Sequence, residues 1–245
     1  MTDALDATHA TIDLLKSHAS VRKFVPEPVD PTDLQAILDA GRQAATWKAF
    51  QSYSIIVVED PDVLAGIYQC APQPSVKSCR TFLLFVGDLS RAATAVGMHN
   101  EPFHPTGVES LLISAVDAAL ALQNTVIAAE SLGYAGVQIG TIRHKSAEVS
   151  ALLGLPDYVY PIVGLCLGKP DPSVEPRPTP RLPHDVVVHR DRYQPATAEA
   201  LRAYDATLSA HFANPDHCWS ERMVAQWGVP EVTASTENLR DKQLL

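Results

Sequence analysis

His18-Ala19-Ser20-Val21-Arg22 sets an imidazole, a hydroxyl and a guanidinium at alternate positions. On an extended chain alternate side chains share a face. That face suits a phosphate or the electron-rich edge of a heterocycle; a solvated strand face is the alternative. Further on, Val137-Gln138-Ile139-Gly140 reads as a short strand ending on a residue with no side chain. A flat ligand can approach the backbone there, although a plain turn is the commoner use of glycine. Arg181 adds a second cation, and Gln73 and Gln138 supply amides. Phosphate cations and ring-edge donors are what a bound cofactor needs. The chain shows no Ser-His-Asp order, HExxH spacing or GxGxxG loop. The hard chemistry is therefore assigned to a cofactor, with no catalytic side chain and no metal site expected.

The elements that must position these groups centre on ESLLISAVDAALALQNTVIAAESLG, Glu109 to Gly133. It reads as a helix roughly 35 Å long that is apolar nearly all round, and so belongs in a core. Asp117, Gln123, Asn124 and Glu130 argue against a membrane span. Ser110, Ser114, Asp117, Ala121, Asn124, Ala128 and Ser131 form one stripe of small and polar residues. Two readings stay open for it: tight packing within one chain, or a seam between two copies. Gly133 suits a left-handed cap.

Before this helix, the spacing predicts helices from about Ala10 to Ser17, from Asp30-Pro31 to about Ala45, and from Asp60-Pro61 through Ile67, the last two with capping aspartates. Thr46-Trp47-Lys48 reads as a loop, and Ser54–Val58 and Thr81–Val86 as buried strands. After it, Ser146 is expected to cap a short helix, Val159–Gly168 to be a strand, Val186–Val188 a short strand and Ala198–Phe212 a helix. KPDPSVEPRPTPRLP, starting at Lys169, reads as a stiff strap.

With 245 residues, 46% hydrophobic, the chain suits one large domain, 1–245, with a C-terminal extension from about 184 to 245. A net charge of −9 argues against nucleic acid or an anionic membrane as partner. Cys70, Cys79, Cys166 and Cys218 have no CxxC spacing, and MTDALDATHA lacks an apolar signal core. A reducing cytoplasm is the expected location.

These pieces together resemble the nitroreductase family, in its branch of oxygen-insensitive nitroreductases and NADPH–flavin oxidoreductases. The resembling stretches are HASVRKF, the VDAALALQNTVIAAESLG helix, GVQIGTIR, LPDYVYPIVGLCLGKP, PRLP and HRDRYQP. The resemblance implies an α+β fold: a three-layer α/β/α sandwich with a mixed, mostly antiparallel sheet around a long buried central helix. It also implies a homodimer whose C-terminal extensions embrace the partner, with one FMN in each of two interface clefts. By motif, His18, Ala19, Ser20 and Arg181 would lie at the FMN phosphate and Arg22 near N1 and the C2 oxygen. Thr46 would touch the ribityl chain or ring, and Gln73 the pyrimidine edge. Gln138, Ile139, Gly140 and Thr141 would lie along the ring face. The implied reaction takes a hydride from NADPH or NADH through flavin N5 to small-molecule acceptors (nitroaromatics, quinones or free flavin) by ping-pong kinetics. The alternative is a flavin-binding redox sensor or flavin store.

Three departures from the branch stand out. Thr179 occupies the place of a lysine, with Arg177 as a possible substitute. Thr141 and Gln138 stand for a family glycine and tyrosine. The loop that carries arginines for NADPH is shortened to Phe212-Ala213-Asn214-Pro215-Asp216, from which NADH use at least comparable to NADPH is expected.

Overall fold

The structure is a computed structural model and describes residues 2–105, 107–228 and 234–244. Its elements, in order, are α1 (Thr2–Ser17), α2 (Pro31–Arg42), β1 (Tyr53–Val58), α3 (Pro61–Cys70), α4 (Pro74–Ser78), β2 (Thr81–Asp88), α5 (Ser90–Gly97), α6 (Val108–Ser131), β3 (Ala135–Ile139), α7 (Ser146–Leu153), β4 (Val159–Gly168), α8 (His184–Val187), α9 (Ala198–His211), α10 (Trp219–Trp227) and α11 (Ala234–Asp241). Single 3-10 turns occupy Trp47–Ala49 and Gly140–Lys145. The chain divides into two compact units, Met1–Pro176 with Thr233–Leu245, and Arg177–Val232. The division falls earlier than the expected start of an extension near 184, and the last helix returns to the first unit.

In the first unit the strands form one sheet in the order β1-β2-β4-β3, with every pairing antiparallel. These four strands do not show the mixed pairing expected of the sheet. Alternation along β2 loads both faces. Phe82, Leu84 and Val86 pack with Leu64 and Ile67 of α3, Val76 of α4 and Val149 of α7. Leu83 and Phe85 pack with Leu34 and Ile37 of α2 and Ala118, Ala121 and Leu122 of α6. Two apolar cores around one sheet make the α/β/α layering. A third cluster joins Leu239 and Leu244, at the end of the chain, to Leu89 and Tyr160.

Both predicted aspartate caps form: Asp30 accepts from the N–H groups of Thr32 and Asp33, and Asp60 from those of Asp62 and Val63. Gly133 takes φ +81° just past α6, where a side chain would be strained. Gly164 lets β4 pass Phe82, since a Cβ there would lie 2.2 Å from the ring's Cζ. Phe82 is fully buried and cannot swing away. Gly164→Ala should therefore destabilise the fold by about 1–3 kcal/mol by overpacking, read from the midpoint of denaturant unfolding. An unchanged midpoint would show that this core has slack.

Several local expectations are corrected. Val186 and Val187 are helical rather than strand: Val188 N–H donates to His184 O and Val186 N–H to Pro183 O, closing a turn of α8. Ser146 is the first residue of α7, not its cap, and its hydroxyl is buried with no hydrogen-bond partner among the described residues. α1 begins at Thr2, well before Ala10, and α2 ends at Arg42. Thr46–Lys48 enters a 3-10 turn. α4, α5, α10 and α11 were not anticipated.

The small-residue stripe of α6 is also decided. Ser110, Ser114, Asp117 and Ala121 are buried within their own chain, and Asn124 donates to Ala40 O of α2. Packing within one chain thus takes up Ser110 to Ala121, whereas Ala128 is half-buried and Ser131 exposed. Val108, Leu112, Val116 and Leu120, spaced by four, are the exposed apolar face of α6, at 59%, 54%, 55% and 43% exposure. By length and composition α6 could span a membrane, but here its polar stripe lies against α2 and the sheet.

Candidate functional site

The segment after α1 runs past the start of β3, where Val21 N–H donates to Gly136 O at 3.0 Å. It then meets the end of β4, with Val25 N–H donating to Lys169 O and Asp171 N–H to Lys23 O. Burial of Val21 and Phe24 anchors it. Ser20 and Arg22 stay exposed on this segment, with one Arg22 nitrogen 3.5 Å from Ser20 O. His18 is different: its Nδ1 lies 2.5 Å from Oε1 of Glu130, in the last turn of α6. A carboxylate thus already holds one side of the expected phosphate ligand.

β3 leads on to Gln138, Ile139, Gly140 and Thr141. Ile139 is buried and the other three are half-buried. The position of a Cβ on Gly140 faces its own chain, 3.5 Å from Nη2 of Arg143, an ordinary contact. Arg143 is held in turn by donating to Ile162 O at 2.6 Å. Thr141 Oγ1 is buried with no hydrogen-bond partner among the described residues, an acceptor and donor that a ligand edge would satisfy.

Thr46 and Gln73 lie elsewhere in this unit. Thr46 precedes the 3-10 turn at Trp47–Ala49. That loop contains Lys48, Ala49 and Gln51 at φ +49°, +57° and +55°, a left-handed run that costs about 1–2 kcal/mol per residue. Asp117, 1% exposed in the middle of α6, holds it: Oδ1 accepts from Trp47 N–H and Oδ2 from Ser52 N–H, both at 2.9 Å. From the other side Arg91 donates to Gln51 O and Tyr53 O and pairs with Asp88. Burial raises the Asp88 pKa, but bonds from Ser54 and Ser90 and the Arg91 charge outweigh it and leave the carboxyl below its usual range. Gln73 is the residue before α4 and is half-buried. Asp117, Glu130 and Arg143 are the residues that sequence reasoning missed. In the sequence Glu130 showed only as a polar break in an apolar helix, Asp117 as such a break and as a member of the small-residue stripe, and Arg143 only as the end of the GVQIGTIR stretch.

Thr179 and Arg181 belong to the second unit, on an extended, exposed stretch. There Tyr204 of α9 donates to Pro180 O at 2.9 Å, and Asp205 staples α9 to α10 by accepting from Ser220 N–H and Oγ. The Phe212–Asp216 loop is a tight turn, with Phe212 against His217 at 4.0 Å between ring centroids and Asn214 Oδ1 accepting from Asp216 N–H.

A cleft of about 780 Å³ in the first unit runs along the outer edge of β1 between α2 and α5 and is lined by Leu38, Arg42, Phe50, Ile55 and Arg91 among others. None of the candidate residues lines it. Among the described residues no group of three or more His, Cys, Asp or Glu side chains could hold a metal ion.

The profile described as "Nitroreductase family" matches residues 15–169 of this chain, and "Nitroreductase family, C-terminal domain" matches residues 179–245. The NADPH-flavin oxidoreductase of Vibrio harveyi is 38% identical over 205 residues, 83% of each chain. Nitroreductase A of Vibrio parahaemolyticus superimposes with a TM-score of 0.88 at 34% identity, over 95% of this chain and 97% of that one. The Vibrio harveyi NADPH:FMN oxidoreductase complexed with NAD+ gives 0.86 at 34%, with the same coverage. The chain belongs to the nitroreductase family, and it is an oxidoreductase.

Proposed function

We propose that the flavin is FMN, that the enzyme works as a homodimer in the cytoplasm, and that it reduces nitroaromatics, quinones or free flavin by ping-pong turnover. The observation that carries this is the Val21–Gly136 hydrogen bond. It ties the segment bearing Ser20 and Arg22 to the strand that leads to Gly140 and to the Thr141 hydroxyl, which has no partner among the described residues. The residues present fit an FMN: Ser20 and Arg22 offer exposed donors, Thr141 an unsatisfied buried hydroxyl, and no dinucleotide loop is present for an adenylate half.

When bound, the flavin supplies hydride acceptance from a nicotinamide and hydride donation to the acceptor. The chain's part is to hold charge and shape. Arg22 would stabilise negative charge on the reduced ring, Ser20 and Arg181 would hold the phosphate, and Gln73, Gln138 and Thr141 would fix the ring's orientation. His18 would contribute only alongside Glu130. The exposed Val108–Leu120 face of α6 is the apolar surface from which a second copy would exclude water.

The cofactor is tested by releasing it with heat and identifying it by chromatography. FMN is expected; FAD, or no flavin after reconstitution, would overturn the proposal. Steady quinone-dependent NAD(P)H oxidation with parallel double-reciprocal lines is the expected kinetic pattern.

The donor follows from the Phe212–Asp216 turn. It carries an exposed carboxylate, Asp216, and no arginine or lysine. Loss of a charge-assisted contact worth about 1.5–3 kcal/mol should remove roughly ten- to a hundred-fold of NADPH preference. The expected result is a kcat/KM for NADH at least comparable to that for NADPH. A preference for NADPH above about a hundred-fold would show that another cation reads the 2′-phosphate.

A further inference from the structure

Glu130 is poorly placed for its own helix. It lies in the last turn of α6, where the free carbonyls of a helix end disfavour an added negative charge and favour a cation. That turn carries no basic residue. Its backbone is firmly set: Gly133 N–H donates to Glu130 O at 3.1 Å and Tyr134 N–H to Ala129 O at 3.0 Å. The carboxylate reaches off the helix, to Nδ1 of His18 at 2.5 Å. His18 is fixed from its own side. Ser17 Oγ donates to Leu14 O at the end of α1, and Val21 N–H is held on Gly136 O. Two anchored backbones thus bring together a ring and a carboxylate that lie 112 residues apart in the chain.

An ionised carboxylate only accepts, so the hydrogen between the two sits on Nδ1, and the bond sets the orientation of the ring as well. The pair is not sealed, since the His18 and Glu130 side chains keep 21% and 12% of their surface exposed. Nε2 is left as the remaining hydrogen-bonding atom of His18. A phosphate oxygen also only accepts, so Nε2 can hold one only with a hydrogen of its own. With hydrogens on both nitrogens the ring is a cation, and Glu130 is its counter-charge.

We propose that Glu130 is a positioning residue for the cofactor phosphate and acts through His18. It holds Nδ1–H, presents Nε2–H to a phosphate oxygen and balances the imidazolium that bridges the two anions. The proposal rests on the reading that His18 lies with Ser20 and Arg181 at the FMN phosphate. It carries a sign that a mere tie between α1 and α6 lacks. Through His18 the carboxylate favours the phosphate. With the imidazole gone, its own charge opposes it.

The test titrates the apo-protein with FMN and, separately, with riboflavin, which lacks the phosphate. The wild type should bind FMN at least about tenfold more tightly than riboflavin. Glu130→Gln keeps the shape and one accepting oxygen but drops the charge. It should weaken FMN binding about three- to tenfold and leave riboflavin within about twofold. In a His18→Ala background the same substitution should no longer weaken FMN binding but tighten it. Nitrogen NMR of the FMN-loaded protein, labelled at histidine, should find hydrogens on both His18 ring nitrogens. Three results each overturn the proposal and leave the phosphate site standing: equal losses for FMN and riboflavin in Glu130→Gln, the same FMN change with and without His18, or a neutral His18 ring in the loaded protein. If the wild type binds FMN and riboflavin alike, the phosphate reading fails and the proposal falls with it.

Discussion

Asp117→Ala is expected to lower the free energy of unfolding by about 3 kcal/mol or more, since a hydrogen bond to a charged group contributes about 1.5–3 kcal/mol and this carboxylate accepts two. The cost falls on a particular place. Trp47 and Ser52 N–H groups lose their acceptor, and between them Lys48, Ala49 and Gln51 sit at positive φ. Without Asp117 that strain is opposed by Arg91, at Gln51 O and Tyr53 O, and by the short turn bonds of the loop itself, so the loop should open before the sheet does. Amide exchange at Trp47 and Ser52 should accelerate in step with the loss of stability, while β2 and β4 keep their protection. Asp117→Asn retains one acceptor oxygen and should cost roughly half as much. A loss below about 1 kcal/mol for the alanine variant, with exchange at Trp47 unchanged, would show that the clamp is incidental. Because Thr46 adjoins this loop, the same variant should also weaken flavin binding if Thr46 contacts the cofactor.

If FMN is the cofactor as proposed, Arg22→Ala should weaken its binding roughly ten- to a hundred-fold, the value of one charge-assisted contact, and should also lower the flavin's reduction potential. A cation beside the ring stabilises the reduced anion, so its removal favours the oxidised form. Arg181→Ala is expected to weaken binding by a similar factor but to leave the potential in place, since a charge at the phosphate is remote from the ring. Arg22→Lys should restore the potential more than the affinity, because the charge returns without the fork. Titration of apo-enzyme with FMN and equilibration with dyes of known potential give the two quantities separately. Equal shifts in potential for the two alanine variants would mean that the division of labour between these arginines is wrong.

The local signals in this chain were strong where physics is local. Asp30-Pro31 and Asp60-Pro61 cap helices because a short carboxylate satisfies the first free N–H groups of whatever helix follows. Val159–Gly168 is a strand as expected, and buried on both sides, because an apolar run bounded by turns has few other ways to lose its surface. The length of α6 and its stop at Gly133 were equally legible. His18, Ser20, Arg22 and Gly140 were singled out from residue type and spacing as candidates, and the family resemblance rested on those same segments.

Tertiary structure decided what depends on partners far away in sequence. The stripe containing Ser114 and Asp117 looked equally suited to a neighbouring copy or to its own chain, since small size permits close approach from any quarter. Only the placement of α2 and the sheet buried it and left Val108, Leu112, Val116 and Leu120 outside. Val186–Val188 carries strand propensity but forms a helical turn, because propensity yields when no neighbouring strand pairs with it. Glu130 beside His18, Asp117 beneath the Trp47 loop and Arg143 on Ile162 O join residues from different elements. Composition and periodicity hold no record of such contacts, because each depends on how two surfaces come to rest against one another.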